Sequence, residues 1–557
     1  MKRDLAPRPT HRVGRRATAL VAAAALLGLA ACSSGGSGDD DSGADNDAAA
    51  MTDFAADTTF RATEPVTFSM LWTDWPETPI TDSWEIFDEI EERTNVSLDL
   101  TNIPFSDAVE KRSLLISSGD APDIIPLIYT GDEQQFAASG AVLPLSDYEK
   151  YMPNFTKYVE EWDLGDMVDN LRQADGKYYM TPGLQEVSVP TFTVLIRKDI
   201  FDEVGAPIPE TWDELRDGLV KIKAKYPDST PLADGFEGAS MLNYAAHAFG
   251  TVAGWGFGNG TFWDEDKGEF VYAATNDGYK DMVEYFHGLV EDGLLDTESF
   301  TAANDGSGTV TEKFAAGQVF AASGANGTVN DFSTALDATV GKGNYEVVQI
   351  APPGGEAGQV VEPRNFWNGF MLTADAKNHP NFIAMLQFLD WLYYSPEARD
   401  LLRWGVEGET YTKTDGKYTL NPAFSLDAFS INPDAETDIL KDLGYSNDVL
   451  AGSTESRALK ESYNAPQYVE YIDSVLSTRT PRDPFPPAPL DEAELEQASL
   501  LATPLKDTVD TNTLRFILGE RPMSEWDAYV GELESQNLQG YLDLINGARE
   551  RYADENG

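Results

Sequence analysis

Short apolar strands alternate with amphipathic helices near the start of this chain, and this alternation constrains the fold more than any other feature. Residues 66–72 alternate in the period of a strand. Further strands are predicted at 96–100 and 124–128, with helices between them at 82–93, where Asp82 and Glu85 form a capping-type pair, and at 107–117. This order favours the α/β class, with a mostly parallel sheet covered by helices.

Aromatic and acidic residues directly follow two of these strands. In open α/β sheets, ligands bind beyond the C-terminal ends of the strands. We therefore predict ligand-binding roles for Trp72, Asp74 and Trp75 after the first strand, and for Tyr129 and Asp132 after the third. The alternative for Trp72 is a place in the core, because large aromatic side chains are mostly buried.

A second alternating unit begins near residue 191. A strand is predicted at 191–196, and Thr211 with Glu214 predicts a capped start of the next helix. The remaining predicted elements are a helix at 279–292 stopped by Gly293, a strand at 345–350, a helix at 382–391, a proline-rich extended segment at 482–490, and helices at 514–518 and 525–533.

The N-terminus has the pattern of an export signal. Basic residues precede an uncharged Ala- and Leu-rich stretch at 17–31, which is too short for a comfortable membrane span. The stretch ends in Leu29-Ala30-Ala31-Cys32, which resembles a bacterial lipobox, in which the cysteine is lipidated after cleavage in front of it. The alternative is a plain signal peptide with a chance cysteine. Residues 33–50 have no apolar side chain larger than alanine and favour a flexible tether.

Composition excludes several classes of protein. The chain carries 40 Lys and Arg residues against 94 Asp and Glu residues, so a basic face for nucleic acid is not expected. Its one cysteine rules out an internal disulfide and a cysteine metal cluster, and its four histidines are not spaced as metal ligands. The length of 557 residues and the 42% hydrophobic content allow one large or two medium domains.

Several sequence motifs occur together in one order. They are Gly-Lys-Tyr-Tyr-Met-Thr-Pro at 176–182, Val-Leu-Ile-Arg-Lys-Asp-Ile-Phe at 194–201, Pro-Glu-Thr-Trp-Asp-Glu-Leu at 209–215, Tyr-Phe-His-Gly-Leu-Val-Glu-Asp-Gly-Leu-Leu-Asp at 285–296, Trp-Gly-Val-Glu-Gly at 404–408 and Trp-Asp-Ala-Tyr-Val at 526–530. This set resembles the extracellular solute-binding proteins (family 1) of ATP-binding-cassette (ABC) importers, and within them the LipO-like lipoproteins associated with oligosaccharide or uronate uptake. The resemblance covers nearly the whole chain after the tether.

The resemblance implies a periplasmic-binding-protein-like type II fold, in which two α/β lobes joined by a hinge enclose the ligand. The implied divisions are a lipoprotein signal peptide at 1–31, the lipidated cysteine and tether at 32–58, a first lobe at 59–188 plus 353–400, and a second lobe at 189–352 plus 401–557. The C-terminal helices are expected to pack on both lobes. Many relatives carry a calcium loop after the helix that matches 212–225, but Tyr-Pro-Asp-Ser-Thr-Pro replaces it here, so we expect no metal or other cofactor.

A sugar presents C–H faces above a rim of hydroxyls, so its receptor needs aromatic faces beside polar groups. Further candidates of this kind are Trp255 in a glycine-rich loop, Asn365 and Trp367 after the second crossing between the lobes, and Tyr463. Arg364 could pair with the carboxylate of an acidic sugar, or form a surface salt bridge. Trp75, Trp255 and Trp367 could instead belong to the core.

The function that these features predict is a monomeric, lipid-anchored receptor on the extracellular face of the cell membrane. As the resemblance implies, it would capture a solute by lobe closure and deliver it to an ABC permease, without enzymatic activity. The expected solute is an oligosaccharide or a uronate, and a peptide is the alternative, because the same aromatic and polar residues can hold one. Two other classes stay open. A secreted glycoside hydrolase would also use aromatic residues and paired carboxylates, and a structural surface lipoprotein would bind no small solute. The motifs of serine hydrolases, phosphate-binding loops and zinc proteases do not occur after the signal.

Overall fold

The computed structural model describes residues 46–81, 83–236, 238–253, 260–301, 308–451 and 454–556. The predicted signal peptide, Cys32 and most of the tether therefore lie outside the described residues, as do Asp82 and Trp255. Within the described ranges, no helix is both long enough and apolar enough to cross a bilayer.

Short strands make up the β-structure of the described chain. They are β1 (Val66–Asp74), β2 (Val96–Pro104), β3 (Ile124–Ile128), β4 (Thr181–Leu184), β5 (Thr193–Arg197), β6 (Leu232–Ala233), β7 (Thr261–Asp264), β8 (Glu269–Tyr272), β9 (Ala321–Gly324), β10 (Val347–Gln349), β11 (Val360–Val361), β12 (Phe366–Leu372), β13 (Tyr411–Thr414), β14 (Lys417–Leu420), β15 (Phe424–Ser425), β16 (Thr437–Asp438) and β17 (Thr480–Pro481).

Helices fill most of the sequence between these strands and the C-terminal region. They are α1 (Glu85–Thr94), α2 (Ala108–Ser118), α3 (Gln134–Ala138), α4 (Pro153–Glu161), α5 (Gly165–Asp169), α6 (Lys198–Glu203), α7 (Trp212–Lys225), α8 (Ala239–Ala248), α9 (Asp277–Glu291), α10 (Gly308–Ala315), α11 (Asn326–Thr339), α12 (Phe382–Tyr394), α13 (Pro396–Trp404), α14 (Arg457–Tyr463), α15 (Pro466–Thr478), α16 (Glu492–Ile517), α17 (Trp526–Ser535) and α18 (Leu538–Asn556).

The sheet of the first lobe has five strands in the order β2-β1-β3-β12-β4. Its alternate residues enter two different cores, Phe68 and Met70 on one face and Leu71 and Ile125 on the other. Only β1, β2 and β3 pair in parallel, whereas β12 is antiparallel to β3 and β4. The sheet is therefore mixed, not mostly parallel as the local alternation predicts, because β4 and β12 join it from distant parts of the chain.

The sheet of the second lobe has the order β10-β5-β9-β6. It also separates two cores, with Val194 and Ile196 on one face and Leu195 and Ala322 on the other. Strand β5 is antiparallel to β10 and β9, and β6 is parallel to β9. The C-terminal ends of β6, β9 and β10 therefore meet at the edge where β5 begins. The chain enters β5 from the first lobe, so this edge faces the junction between the lobes.

Local sequence signals correctly predict the start of one helix and the end of another. The Thr211 hydroxyl accepts a hydrogen bond from the Glu214 backbone N–H at 3.2 Å, and the Glu214 carboxylate reaches back to the Glu210 N–H at 2.8 Å. Helix α9 begins two residues earlier than predicted, with Asn276 as its cap, and the chain turns at Gly293 with φ 66°. These local predictions are confirmed because each depends only on neighbouring residues.

The sequence predicts only the C-terminal end of the long helix α16, as a helix at 514–518. Helix α16 runs for 26 residues and contains Pro504, a residue that normally ends a helix. Its start carries a reciprocal capping box, in which Asp491 and Glu494 each accept a hydrogen bond of 2.9 Å from the backbone of the other. The sequence Asp-Glu-Ala-Glu at the start of α16 carries this capping signal. Pro504 nevertheless makes a continuous helix difficult to predict from the sequence.

The division between the lobes differs from the predicted one after residue 400. Trp404, Tyr411, Tyr445 and Tyr463 all pack into the same core as β1 and α12, so the segment 401–463 belongs to the first lobe. The end of α16, with α17, packs into the core of the second lobe, whereas its beginning contacts α3 of the first. Long-range packing of this kind leaves no local sequence signal.

Candidate ligand cleft between the lobes

The facing edges of the two sheets enclose two cavities of about 290 and 270 Å³ that share Thr191. The first is lined by Pro190, Thr191, Phe192, Ser240, Asn243, Tyr244, His247, Val252, Ala253, Pro352, Val361, Glu362, Arg364 and Arg482. The second is lined by Gln185, Thr191, Ala325, Asn326, Gly327, Trp367, Arg403, Phe429, Asp448, Glu455, Lys460, Tyr463, Asn464 and Tyr468. Both lobes contribute to each cavity, so the cavities form one cleft.

A cation stacked on an aromatic ring stands where the cavities meet. The Arg364 guanidinium lies over the Trp367 ring at 4.9 Å, and Tyr129 meets the same ring edge-on at 5.9 Å. Arg364 also donates to the Thr191 hydroxyl at 3.4 Å. Trp367 can approach this position because β12 and β4 come very close together beside it. A Cβ at Gly369 would lie 1.8 Å from the Thr181 carbonyl oxygen, so only glycine fits there.

The wall of the first cavity includes buried polar atoms that find no hydrogen-bond partner within the described residues. They are Ser240 Oγ, His247 Nδ1 and Arg482 Nε. Burial, reinforced by the charge of Arg482, lowers the pKa of His247 to about 4. Its imidazole is therefore neutral at physiological pH. These three atoms have almost no accessible surface, so they lie behind the cavity wall and make its surroundings polar.

A buried network of charges forms the wall of the second cavity. Arg403 Nη2 donates to Glu455 Oε1 at 3.0 Å, and the Tyr463 hydroxyl donates to the same oxygen. Lys460 donates to Gln185 Oε1 at 2.6 Å and lies 3.8 Å from Glu455. Burial lowers the pKa of Lys460, and the Glu455 carboxylate acts in the opposite direction. The network holds these side chains in fixed positions around the cavity.

Asp448 presents a carboxylate to the second cavity. Its side chain is accessible, and in the described part of the chain it accepts no hydrogen bond. The surrounding protein nevertheless removes much of its contact with bulk water, and this desolvation raises its pKa, while the nearby Arg403 acts to lower it. A carboxylate in this setting is a strong acceptor for hydroxyl groups.

The structure brings some of the predicted site residues into this cleft. Arg364, Trp367 and Tyr463 line it, and Tyr129 touches Trp367. Asn365 lies beside the cleft, and its side-chain amide donates a hydrogen bond to the Gln185 backbone carbonyl at 3.3 Å. These residues come from separate parts of the chain, and the insertion of β12 between β3 and β4 brings Arg364 and Trp367 beside Tyr129.

The other predicted residues occupy different environments. Trp72 is only 2% exposed and packs against Trp84 and Phe87 in the core, so its side chain does not reach the cleft. Asp74 accepts a hydrogen bond from the Ile80 N–H at 2.8 Å, and Asp132 pairs with Arg112 at 2.9 Å.

Trp75 lies outside the two cavities, stacked on Phe105 at 5.2 Å. Trp255 lies outside the described residues.

Several cleft residues were not predicted from the sequence. The amide of Asn326 at the start of α11 donates to Asn464 after α14, which joins the two lobes across the second cavity. Ser240 and His247 belong to α8, an apolar helix in which a polar residue gives no functional signal. Asp448 is one of 94 acidic residues. No local pattern distinguishes these residues, because their role depends on which elements surround them.

Glu133 supports the loop that carries Tyr129. Its buried carboxylate accepts hydrogen bonds from the Gly131 N–H at 2.8 Å and from the Gln173 amide at 3.3 Å. Burial raises the pKa of Glu133 to about 7 from the ordinary value of 4.5, although the backbone N–H groups act to lower it. Near neutral pH this side chain is therefore close to its titration midpoint.

Glu133→Gln is expected to flatten the pH dependence of stability. A carboxyl group whose pKa is higher in the folded state binds more protons when folded, so unfolding becomes easier as the pH rises from about 4.5 to about 7. We expect the wild type to lose on the order of 2–3 kcal/mol from this group across that range. The measurement is the melting temperature of both proteins from pH 5 to pH 8.

Glu92→Gln, a change at an exposed glutamate of α1, is the matched control and should follow the wild type throughout. Parallel curves for wild type and Glu133→Gln would show that Glu133 does not titrate in this range.

Within the described ranges, no group of three or more His, Cys, Asp or Glu side chains is arranged to hold a metal ion. In the segment that replaces the calcium loop, the Lys223 ammonium donates to the Ser229 carbonyl at 2.5 Å. The Lys223 ammonium group therefore stabilises this turn of the chain.

Comparison with known proteins identifies the family. The model of the bacterial extracellular solute-binding protein family matches residues 85–404. The fructooligosaccharide ABC transporter substrate-binding protein FusA of Streptococcus pneumoniae is 25% identical over 508 residues, which cover 84% of this chain and 86% of FusA. The lipoprotein LipO of Bacillus subtilis is 23% identical over 364 residues, covering 62% of this chain and 67% of LipO.

A solved structure establishes the fold. The alginate-binding protein AlgQ2, determined without calcium ion, superimposes with a TM-score of 0.67 at 19% identity, covering 89% of this chain and all of AlgQ2. The two-lobed α/β fold of type II periplasmic-binding proteins is therefore confirmed, as is the resemblance to LipO-like proteins. On this evidence, the chain belongs to the family of bacterial extracellular solute-binding proteins.

Proposed function

We propose that this protein is a lipid-anchored extracellular receptor that captures an oligosaccharide or an acidic sugar and delivers it to an ABC permease. The lobes close on the solute, and the solute leaves chemically unchanged. The lipid is attached to Cys32, and the flexible tether that follows lets the receptor move above the membrane. Relatives named for fructooligosaccharide and for alginate binding support a carbohydrate as the solute.

The observation that carries this proposal is the composition of the cleft wall. An indole ring at Trp367 lies within one cleft with an acceptor at Asp448 and donors at Arg364 and Lys460. A sugar needs this combination, because its C–H face packs on an aromatic ring while its hydroxyls need hydrogen-bond partners. A lipid or an apolar peptide would leave these charged groups desolvated without partners.

Closure follows from the way the two lobes share the cleft. Asn326 and Gly327 belong to the second lobe, whereas Trp367 and Asp448 belong to the first. A solute that contacts both lobes stabilises the closed form, because those contacts exist together only when the lobes are near each other. The closed form is then the one that the permease recognises.

The carboxylates of the second cavity favour binding over hydrolysis. A glycoside hydrolase uses two carboxyl groups, one of which must give and take a proton. Glu455 is held by Arg403, Tyr463 and Lys460, so its charge belongs to the structural network. Asp448 is then the acceptor for hydroxyl groups in the second cavity, and Glu362 of the first cavity lies near the Arg482 cation.

A thermal-shift screen against neutral oligosaccharides, oligouronates and peptides tests the proposal. A ligand that binds only the folded state raises the melting temperature. We expect stabilisation by a saccharide, one bound molecule per protein by calorimetry, and no shortened products by chromatography. Release of shorter sugars would establish a hydrolase instead, and no response to any saccharide would refute the receptor.

Arg364→Ala distinguishes the two classes of sugar. If the solute is a uronate, loss of the guanidinium should weaken its binding by about tenfold to a hundredfold, since hydrogen bonds to charged groups contribute about 1.5–3 kcal/mol. Neutral oligosaccharides should lose about threefold or less. Calorimetric titration with an oligouronate and a neutral oligosaccharide of equal length gives both values.

Arg549→Ala is the matched control for this variant. The Arg549 guanidinium also lies over a tryptophan ring, that of Trp263, at 5.6 Å, but outside the cleft. Arg549→Ala should change the affinity for neither the oligouronate nor the neutral oligosaccharide. Equal losses for both sugars in Arg364→Ala would refute charge pairing at this residue.

A further inference from the structure

Four aromatic side chains follow one another along the cleft edge of the first sheet. Phe105 follows β2, Trp75 follows β1 and Tyr129 follows β3, while Trp367 lies near the start of the antiparallel β12. Because Asp74 pairs with Pro104, Trp75 and Phe105 occupy the next position in the register. Met70 of β1 pairs with Ile124 of β3. Trp75 and Tyr129 each come five residues later, so they also lie at matching positions. The spatial order is therefore Phe105, Trp75, Tyr129, Trp367.

The inner end of this row is part of the cleft, and the outer end is open. Trp367 lines the second cavity and touches Tyr129 at 5.9 Å. Phe105 is 56% exposed and Tyr129 is 48% exposed, and Phe105 stacks on Trp75. Neighbouring strands lie about 4.8 Å apart, so the row spans about 14 Å. The row therefore leads outward from the cleft across the sheet.

The cavities alone accommodate only a short solute. At about 290 and 270 Å³, the two cavities together have the volume of one ordinary small-molecule pocket. A longer saccharide must therefore extend out of the cleft, and the aromatic row is the surface that begins at its edge.

The charges beside the outer rings of the row favour uncharged sugar units. Asp74, Glu77, Asp107 and Asp132 lie within three residues of Trp75, Phe105 or Tyr129, and Lys111 and Arg112 pair with only two of them. The Arg364 cation lies at the inner end of the row, over Trp367. Carboxylates accept hydrogen bonds from hydroxyls and repel uronates.

The geometry points to Trp75 and Phe105 as an outer subsite for the distal, neutral units of an oligosaccharide. This inference rests on the proposed function, and it adds that the receptor prefers longer neutral chains. The rings supply faces for the C–H surfaces of sugar units that project beyond Trp367. The neighbouring carboxylates supply acceptors for the hydroxyls of those units.

Calorimetric titration with saccharides of two to eight units tests this inference. The probes are neutral fructo- and malto-oligosaccharides and an acidic series of oligogalacturonides. The affinity of the wild type should rise with length for a neutral series. Phe105→Ala and Trp75→Ala should lose about tenfold for the longest neutral chains and less than twofold for the shortest. Phe105 is the more exposed ring, so its variant keeps the test valid even if Trp75→Ala unfolds.

Leu114→Ala is the matched control, because Leu114 is 67% exposed on α2 of the same lobe but is not part of the row. Leu114→Ala should bind saccharides of every length with the affinity of the wild type. Equal losses for short and long chains, affinity independent of length, or an equal gain with length for the acidic series would overturn the inference. Binding of no saccharide by the wild type would refute the proposed function itself and the inference with it.

Discussion

Trp367→Ala is expected to weaken the binding of the best saccharide ligand by about thirtyfold to a thousandfold. The ring forms part of the second cavity, carries the Arg364 guanidinium at 4.9 Å and meets Tyr129 at 5.9 Å. Its loss removes the aromatic face and also the support of two neighbouring groups. Central tryptophans of this kind contribute about 2–4 kcal/mol to binding, and 1.4 kcal/mol corresponds to tenfold. Calorimetric titration at constant temperature measures the change.

Trp263→Ala provides the control for this variant. Trp263 is also half-buried, also lies beneath an arginine and also meets another ring, Phe270 at 5.1 Å, but it belongs to β7 away from the cleft. It should retain the affinity of the wild type. Similar losses in both variants would mean that the binding defect reflects general destabilisation and that Trp367 is not the platform for the sugar.

Arg403→Met is expected to lower the free energy of unfolding by about 3–5 kcal/mol, because it leaves the buried Glu455 carboxylate without its main cation. The Arg403 side chain donates to Ser446 Oγ at 2.8 Å, the Ala451 carbonyl at 2.9 Å and Glu455 at 3.0 Å, and it lies 4.3 Å from the centre of the Tyr463 ring. Chemical denaturation measured by tryptophan fluorescence gives the change.

Lys441→Met tests whether any lost ion pair has the same effect. Lys441 pairs with Asp427 at 2.7 Å, but both side chains are about half exposed, so the expected loss is below about 1 kcal/mol. The double variant Arg403→Met, Glu455→Gln should be less destabilised than the sum of the two single changes, because the second change removes the unpaired charge. Additive losses would show that the two residues are not coupled.

Features encoded by neighbouring residues could be predicted from the sequence. The alternation in β1, the cap at Thr211 and the stop at Gly293 each depend on a few adjacent positions, and the structure contains all three. The motifs that resemble solute-binding proteins gave the fold class, because their order extends along the chain. Boundaries failed where distant segments decide them, as for the segment 401–463, which packs into the first lobe.

Part of the candidate site could also be predicted, where its residues are neighbours in the sequence. Trp367 and Arg364 were found because they stand together near a predicted crossing. Trp72 has the same residue type, but its position in the strand directs it into the core, against Trp84. His247 and Asp448 gave no signal, because a single histidine in an apolar helix and one carboxylate among many acquire a role only when the lobes are assembled.

Closure of two lobes around an unaltered sugar is the central claim, and small-angle X-ray scattering tests it most directly. The protein is measured alone and then saturated with the saccharide that gives the largest thermal shift, and the sugar is recovered afterwards for chromatography. A smaller radius of gyration in the saturated sample, with the sugar intact, is the result that we expect. An unchanged radius at full saturation, or a shortened sugar, would contradict the account.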